Sequence, residues 1–311
     1  MNWRDMTTVD PRNEKKGFPL YSYAEVPHFM QGNPYITHGY RAFLSSGQCL
    51  RSFCSWSNET INIWTHLLGF FLFLGLTIYD NIIMIPFYQG SLFDHVIYTG
   101  FLSCYQFCMF ASASFHLFSG GDETVFKRWF GIDLAGISVG ILGCYLPGIY
   151  YAYYCFKFWR NVYLVLATSL ILVTIMAQIH PRFLSAQWAN RRIMLFCAMV
   201  GFGIAPTIHW VFLYGGVNTP IVKLILPRVI VLYLMGFTAL IFYATMFPEV
   251  CCPGRLDYVG SSHQLWHVLV VIAFLWWHQT GVIMMEFVHN SDPCRNAAQE
   301  SLLNQNIVLE T

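Results

Sequence analysis

Charge is what this sequence of 311 residues has least of. Asp, Glu, Lys and Arg make up 11% of it, under half the share of an average soluble domain, and 17 basic against 16 acidic residues leave a net charge of +1. A nucleic-acid-binding surface, which needs a basic face, is excluded. Disorder is excluded as well, because it needs low hydrophobicity and high net charge. The sequence also lacks any Cys-x-x-Cys, so sulfur-bound zinc is not expected despite ten cysteines. It has no internal repeat and no low-complexity stretch. No apolar core of a secretory signal stands near its start, where Asp5, Asp10, Glu14, Lys15, Lys16 and Glu25 alternate with prolines at 11, 19, 27 and 34.

What is present is apolar surface. Apolar residues reach 56% and aromatics 18%, more than one soluble core of this length can hide. An integral membrane protein remains. Roughly 20 apolar residues in a helix cross a hydrocarbon core of about 30 Å. Seven stretches qualify: 61–79, 95–118, 132–156, 161–180, 193–213, 229–247 and 264–285. Barrel strands would be shorter and would alternate, whereas these runs are apolar on every side. The expected fold is an all-α, seven-transmembrane helix bundle. Among the charged residues, only Asp133 falls inside these limits. Ahead of the bundle, 1–39 reads as a mostly extended tail. Residues 40–60 read as a juxtamembrane segment in which Tyr40, Phe43, Leu44, Leu50, Phe53, Cys54 and Trp56, mixed with Arg41 and Arg51, suit a short amphipathic helix. Residues 286–311 form the opposite tail.

Seven crossings put the termini on opposite sides. Counting only Lys and Arg close to a span, the N-terminal side carries eight and the C-terminal side five. The N-terminus is therefore expected in the cytosol and the C-terminus in the lumen or outside. On that topology Asn58-Glu59-Thr60, a match to the N-glycosylation pattern, stays bare. Cys251 and Cys252 fall in a cytosolic loop beside a span, where palmitoylation and an inert pair of thiols are equally consistent.

Polar residues inside spans point to function. His263 and His267 stand four residues apart, which puts both imidazoles on one helical face about 6 Å apart. His116 ends the second span and Ser112 precedes it by one turn, while Asp133 opens the third. These groups share one level near the expected cytosolic boundary. Three neutral imidazoles are the ligand set of an open zinc site, and a carboxylate beside it can fix a ligand's tautomer. The plainer reading is interhelical hydrogen bonding. His66 and His180 occupy the same level, so spacing leaves the third ligand open. His209 lies towards the other end, and His278 stands about 16 Å deeper along its helix than His267.

The motifs Glu-Thr-x-Asn-Ile-Trp-Thr-His (Glu59 to His66), Ser-x-x-x-His (Ser112, His116), Asp133 and the His-x-x-x-His of the seventh span resemble the progestin and adipoQ receptor family, along a stretch from about Pro34 to His289. The resemblance implies seven helices with a cytosolic N-terminus and zinc held by His116, His263 and His267. By the same resemblance Asp133 faces the metal's open position, Ser112 is the motif serine, and Glu59, Asn62 and His66 are motif residues outside the ligand set. Likeness to a Golgi member implies anchoring of Raf kinase through cytosolic segments at the Golgi membrane and restraint of MAPK/ERK signalling. Two alternatives accompany it: a ceramidase-like, zinc-dependent hydrolase of a lipid amide, with Asp133 as proton acceptor, and a receptor for a small lipid or steroid entering among the spans.

Overall fold

Inside hydrocarbon a backbone N–H or C=O finds no water, so an apolar run of this length satisfies itself as helix. The computed structural model describes residues 18–180, 182–291 and 294. Among these, seven helices are long and apolar enough to cross a membrane: Thr60–Phe87, Leu92–Phe118, Glu123–Ala152, Lys157–Gln178, Ala189–Leu213, Pro220–Cys251 and Ser262–Asn290. The protein is an integral, multi-pass, all-helical membrane protein. The described residues hold no strand beyond one isolated antiparallel bridge, Tyr21 to Tyr40.

The helices outrun several of the expected limits. The first continues past 79 through a π-turn at Asp80–Met84 and on to Phe87. The second starts at Leu92, before 95. Two carboxylates, Asp80 and Asp94, therefore lie within spans, and Asp133 is not alone there. Both are buried and bonded: Asp80 meets His278, and Asp94 accepts from Tyr151 and Ser91. A carboxylate that is bonded in this way no longer has to end a span. The third helix stops at Ala152, short of the expected 156, which frees Cys155 from it.

The chain packs as two units. One comprises the described residues up to Phe70 with 109–134 and 235–271. Here the segment from 18 onwards is no extended leader. Val26, Ile36, Tyr40 and Ala42 form a small core, and two buried carboxylates fasten it. Asp257 accepts from the Thr37 and His38 amides and the Thr37 hydroxyl, and Glu249 accepts from Asn33 and from the Ser262 amide. The expected amphipathic helix over 40–60 is reduced to Ser46–Arg51 and a 3-10 turn, Ser52–Cys54, opened by a capping box of Ser45 and Gln48. The reason is Arg41, which is buried and donates to Ser52 and to the His116 carbonyl, drawing Tyr40 to Leu44 into the interior.

The other unit comprises Phe71–Cys108, Ala135–Leu234 and the described residues from Ile272. Its interior is aromatic: Tyr105 stacks on Phe274 at 4.0 Å, and Trp277 donates to the Cys144 carbonyl. Small residues admit these rings. A Cβ on Gly140 would stand 2.8 Å from Phe274, and one on Gly143 would stand 2.8 Å from Tyr105. Cys155 and Cys294 form a disulfide.

Candidate metal centre

The first unit gathers polar side chains from four helices. Glu59 precedes the first span, and Asn62, Thr65 and His66 lie in its first turns. Ser112 and His116 close the second span, Asp133 belongs to the third, and His263 and His267 open the seventh. His263 and His267 share a face by their four-residue spacing, with ring centroids 4.8 Å apart. His116 comes to both, at 5.1 Å from the His263 ring and 4.7 Å from that of His267. One ligand nitrogen from each of the three lies within 4.8 Å of the others, so the group can hold a metal ion.

Bonds on the far sides of the rings fix which nitrogens face inward. His116 Nδ1 is 2.7 Å from the Glu59 carboxylate and donates to it, which leaves Nε2 as the free lone pair. His267 Nδ1 lies 3.2 Å from the Asn62 carbonyl and 3.4 Å from the Thr65 hydroxyl, which leaves its Nε2 free. His116 Nε2 and His263 Nε2 face each other at 3.3 Å. Glu59 is held in turn by the Asn62 side-chain amide at 2.7 Å. Ser112 is buried, and the Asp133 carboxyl lies within electrostatic reach of Ser112 and His116.

Depth left His66, His116 and His180 competing for the third position, and geometry separates them. His66 stacks on the His267 ring at 3.7 Å with no partner on either nitrogen, as packing rather than as a member of the three. His180 is exposed and accepts from the Arg182 amide. His209 bonds the Tyr163 hydroxyl at 3.0 Å, the plain reading of a membrane histidine. Arg41 was not anticipated here. It donates to the His116 carbonyl at 2.8 Å, and burial depresses its pKa while Glu59 opposes that. Its only sequence signal was a cation amid aromatics beside a span. Cys251 is exposed and Cys252 half-buried, both as free thiols.

Seven spans with a buried histidine triad at one level define a class of polytopic membrane protein. Residues 54–278 match the family model of haemolysin-III-related proteins. The chain is 49% identical, over 280 residues and 90% of each chain, to human "Progestin and adipoQ receptor family member 3", with the same figures for the mouse protein. It is 32% identical to "Heptahelical transmembrane protein 1" of Arabidopsis thaliana, over 86% of this chain and 82% of that one. The chain belongs to the haemolysin-III-related family, that of the progestin and adipoQ receptors.

Proposed function

We propose that this protein is a Golgi membrane anchor, N-terminus in the cytosol, that holds zinc through His116, His263 and His267 and retains Raf kinase by its cytosolic segments, restraining MAPK/ERK signalling. The observation that carries the metal reading is the orientation of the rings. With Zn–N bonds of about 2.0–2.1 Å, a tetrahedral site sets two ligand nitrogens about 3.3 Å apart. The pair His116 Nε2 and His263 Nε2 has that separation. Glu59 and the Asn62 carbonyl hold the outer nitrogens of His116 and His267, the arrangement that fixes a ligand's tautomer. No thiol belongs to the group, and the donor set suits zinc.

Orientation has a second support besides the count of basic residues. Cys155 follows the third span and Cys294 the seventh. Both are odd-numbered crossings, so the two sulfurs share the side of the C-terminus, and a disulfide belongs to an oxidising compartment. The Golgi address and the kinase partner rest on likeness to family member 3.

Metal analysis of untagged protein tests the centre. The parent is expected to carry about one zinc per chain and the His263→Ala/His267→Ala double variant none. Equal zinc in both rejects the site. For anchoring, removal of residues 1–17 spares the Tyr21–Tyr40 bridge and the groups around His116. Raf retention at Golgi membranes is expected to fall severalfold, and unchanged retention rejects the tail as docking element.

One observation favours a second reading, a lipid amide hydrolase: the Asp133 carboxyl lies within electrostatic reach of His116 and Ser112. When bound, zinc supplies Lewis acidity at its protein-free position. Asp133 would take the proton that the attacking water gives up, with the Ser112 hydroxyl near its carboxylate.

A further inference from the structure

His263 is the second residue of the seventh helix, and His116 stands two residues before the end of the second. Both imidazoles thus belong to terminal turns, where backbone N–H or C=O groups have no partner within the helix and the end frays. A ligand in such a turn keeps its place only if the end is capped.

One stretch of chain, residues 33–41, serves both ends. Glu249 is 0% exposed, and its Oε2 accepts from the amide of Ser262, the neighbour of His263, at 2.7 Å. Its Oε1 accepts from the Ser262 hydroxyl and from the Asn33 side-chain amide, the latter at 2.9 Å. A carboxylate suits a helix N-terminus, the positive end of the dipole. Further along the stretch, Arg41 is 2% exposed and donates to the His116 carbonyl at 2.8 Å and to the Ser52 hydroxyl at 2.7 Å. That carbonyl belongs to the last turn of its helix, which a cation suits in turn. Between them Asp257 accepts from the Thr37 and His38 amides, so the stretch is pinned in the middle as well.

We propose that residues 33–41 clamp the histidine centre, with Glu249 and Arg41 as positioning residues that set the 3.3 Å spacing of His116 Nε2 and His263 Nε2. The inference rests on the zinc reading above. Glu249 acts through the backbone of Ser262, and Arg41 through that of His116. Gln at position 249 keeps the shape but turns one acceptor into an NH₂ group. In one orientation that group faces the Ser262 N–H and in the other the Asn33 NH₂, so a donor meets a donor either way. Lys at position 41 keeps the charge but lacks the fork that reaches two acceptors.

The test uses the full chain in phosphatidylcholine nanodiscs, with zinc competition against a chelator and melting temperatures with and without zinc. Glu249→Gln and Arg41→Lys are each expected to weaken zinc retention by about tenfold. The rise in melting temperature that zinc produces should shrink in step, because stabilisation by a ligand follows its affinity. With cobalt in place of zinc, the visible absorption, which reports ligand geometry, should shift in both. Asn33→Ala removes one donor to the same carboxylate from a half-buried position, so it decides the matter should Glu249→Gln fail to fold, and a severalfold loss is expected. Glu25→Ala is the control: Glu25 accepts from Ser22, and its loss should leave zinc affinity as in the parent. Parental zinc affinity in the clamp variants, or a fall in melting temperature that is equal with and without zinc, overturns the clamp and leaves the zinc reading standing. A parent that retains no zinc overturns both.

Discussion

Two carboxylates stand beside His116 in different settings. Glu59 accepts a hydrogen bond from Nδ1–H of that ring, whereas Asp133 lies within electrostatic reach of it and makes no hydrogen bond to its nitrogens. Their substitutions should therefore separate. Glu59→Gln is expected to weaken zinc retention by about 10–100-fold in competition with a chelator, because His116 loses the group that fixes its tautomer. Asp133→Asn should keep its zinc. Under the hydrolase reading, the zinc-loaded parent cleaves ceramide and Asp133→Asn lowers kcat by about 10²–10⁴-fold. An inactive parent, or an Asp133→Asn variant as fast as the parent, rejects that reading and leaves the centre as a structural tie. The His263 and His267 pair was legible because helical spacing is a local property. The third member was not, since His66, His116 and His180 share one depth and only packing tells a stacked or exposed ring from an inward-facing one.

At the scale of the elements, apolar runs disclosed all seven helices because nothing else satisfies backbone groups in lipid. Their ends were less legible. Asp80 and Asp94 read as boundaries, yet partners far along the chain, His278 for one and Tyr151 for the other, carry both into helix. Such partners have no local signal. The close packing of the third span has a weak one, its glycines. A Cβ on Gly143 would stand 2.9 Å from Cys104 Cβ as well as 2.8 Å from Tyr105, and the stacking of Tyr105 on Phe274 leaves that ring little room to yield. Gly143→Ala is therefore expected to cost about 1–3 kcal/mol through overpacking. Gly75 is the control, since nothing lies within 4 Å of a Cβ there. Gly75→Ala should leave the melting temperature unchanged or raise it slightly, by removing a helix-weakening glycine. Thermal unfolding followed by tryptophan fluorescence compares the two, and equal melting temperatures would refute tight packing at Gly143.

For the whole molecule, the proposed orientation rests on parity together with redox chemistry. Extending the third apolar run to 156 hid Cys155 inside it, so no bridge was visible in the sequence; the helix ends at Ala152 and exposes the pairing with Cys294. Cys54 and Cys251 are exposed free thiols. Cys54 precedes the first crossing and Cys251 ends the sixth, so both belong to the side opposite the bridge. Sealed Golgi vesicles, cytosolic face outward, should therefore admit a membrane-impermeant maleimide to Cys54 and Cys251 at once. Cys155 and Cys294 should react only after permeabilisation and reduction together. Single-cysteine variants at 54 and 251 resolve the immediate label, and a variant keeping only 155 and 294 resolves the bridge. The opposite pattern would put the histidine centre at the luminal face and overturn the proposed kinase anchoring, which needs a cytosolic docking surface. Breaking the bridge should also cost stability, since it closes a separation of 139 residues. Cys155→Ser is expected to destabilise the protein by about 2–5 kcal/mol, less to the extent that the membrane already orders the unfolded helices. A melting temperature equal to the parent's would mean that the membrane, and not the sulfur bridge, holds that end of the seventh helix in place.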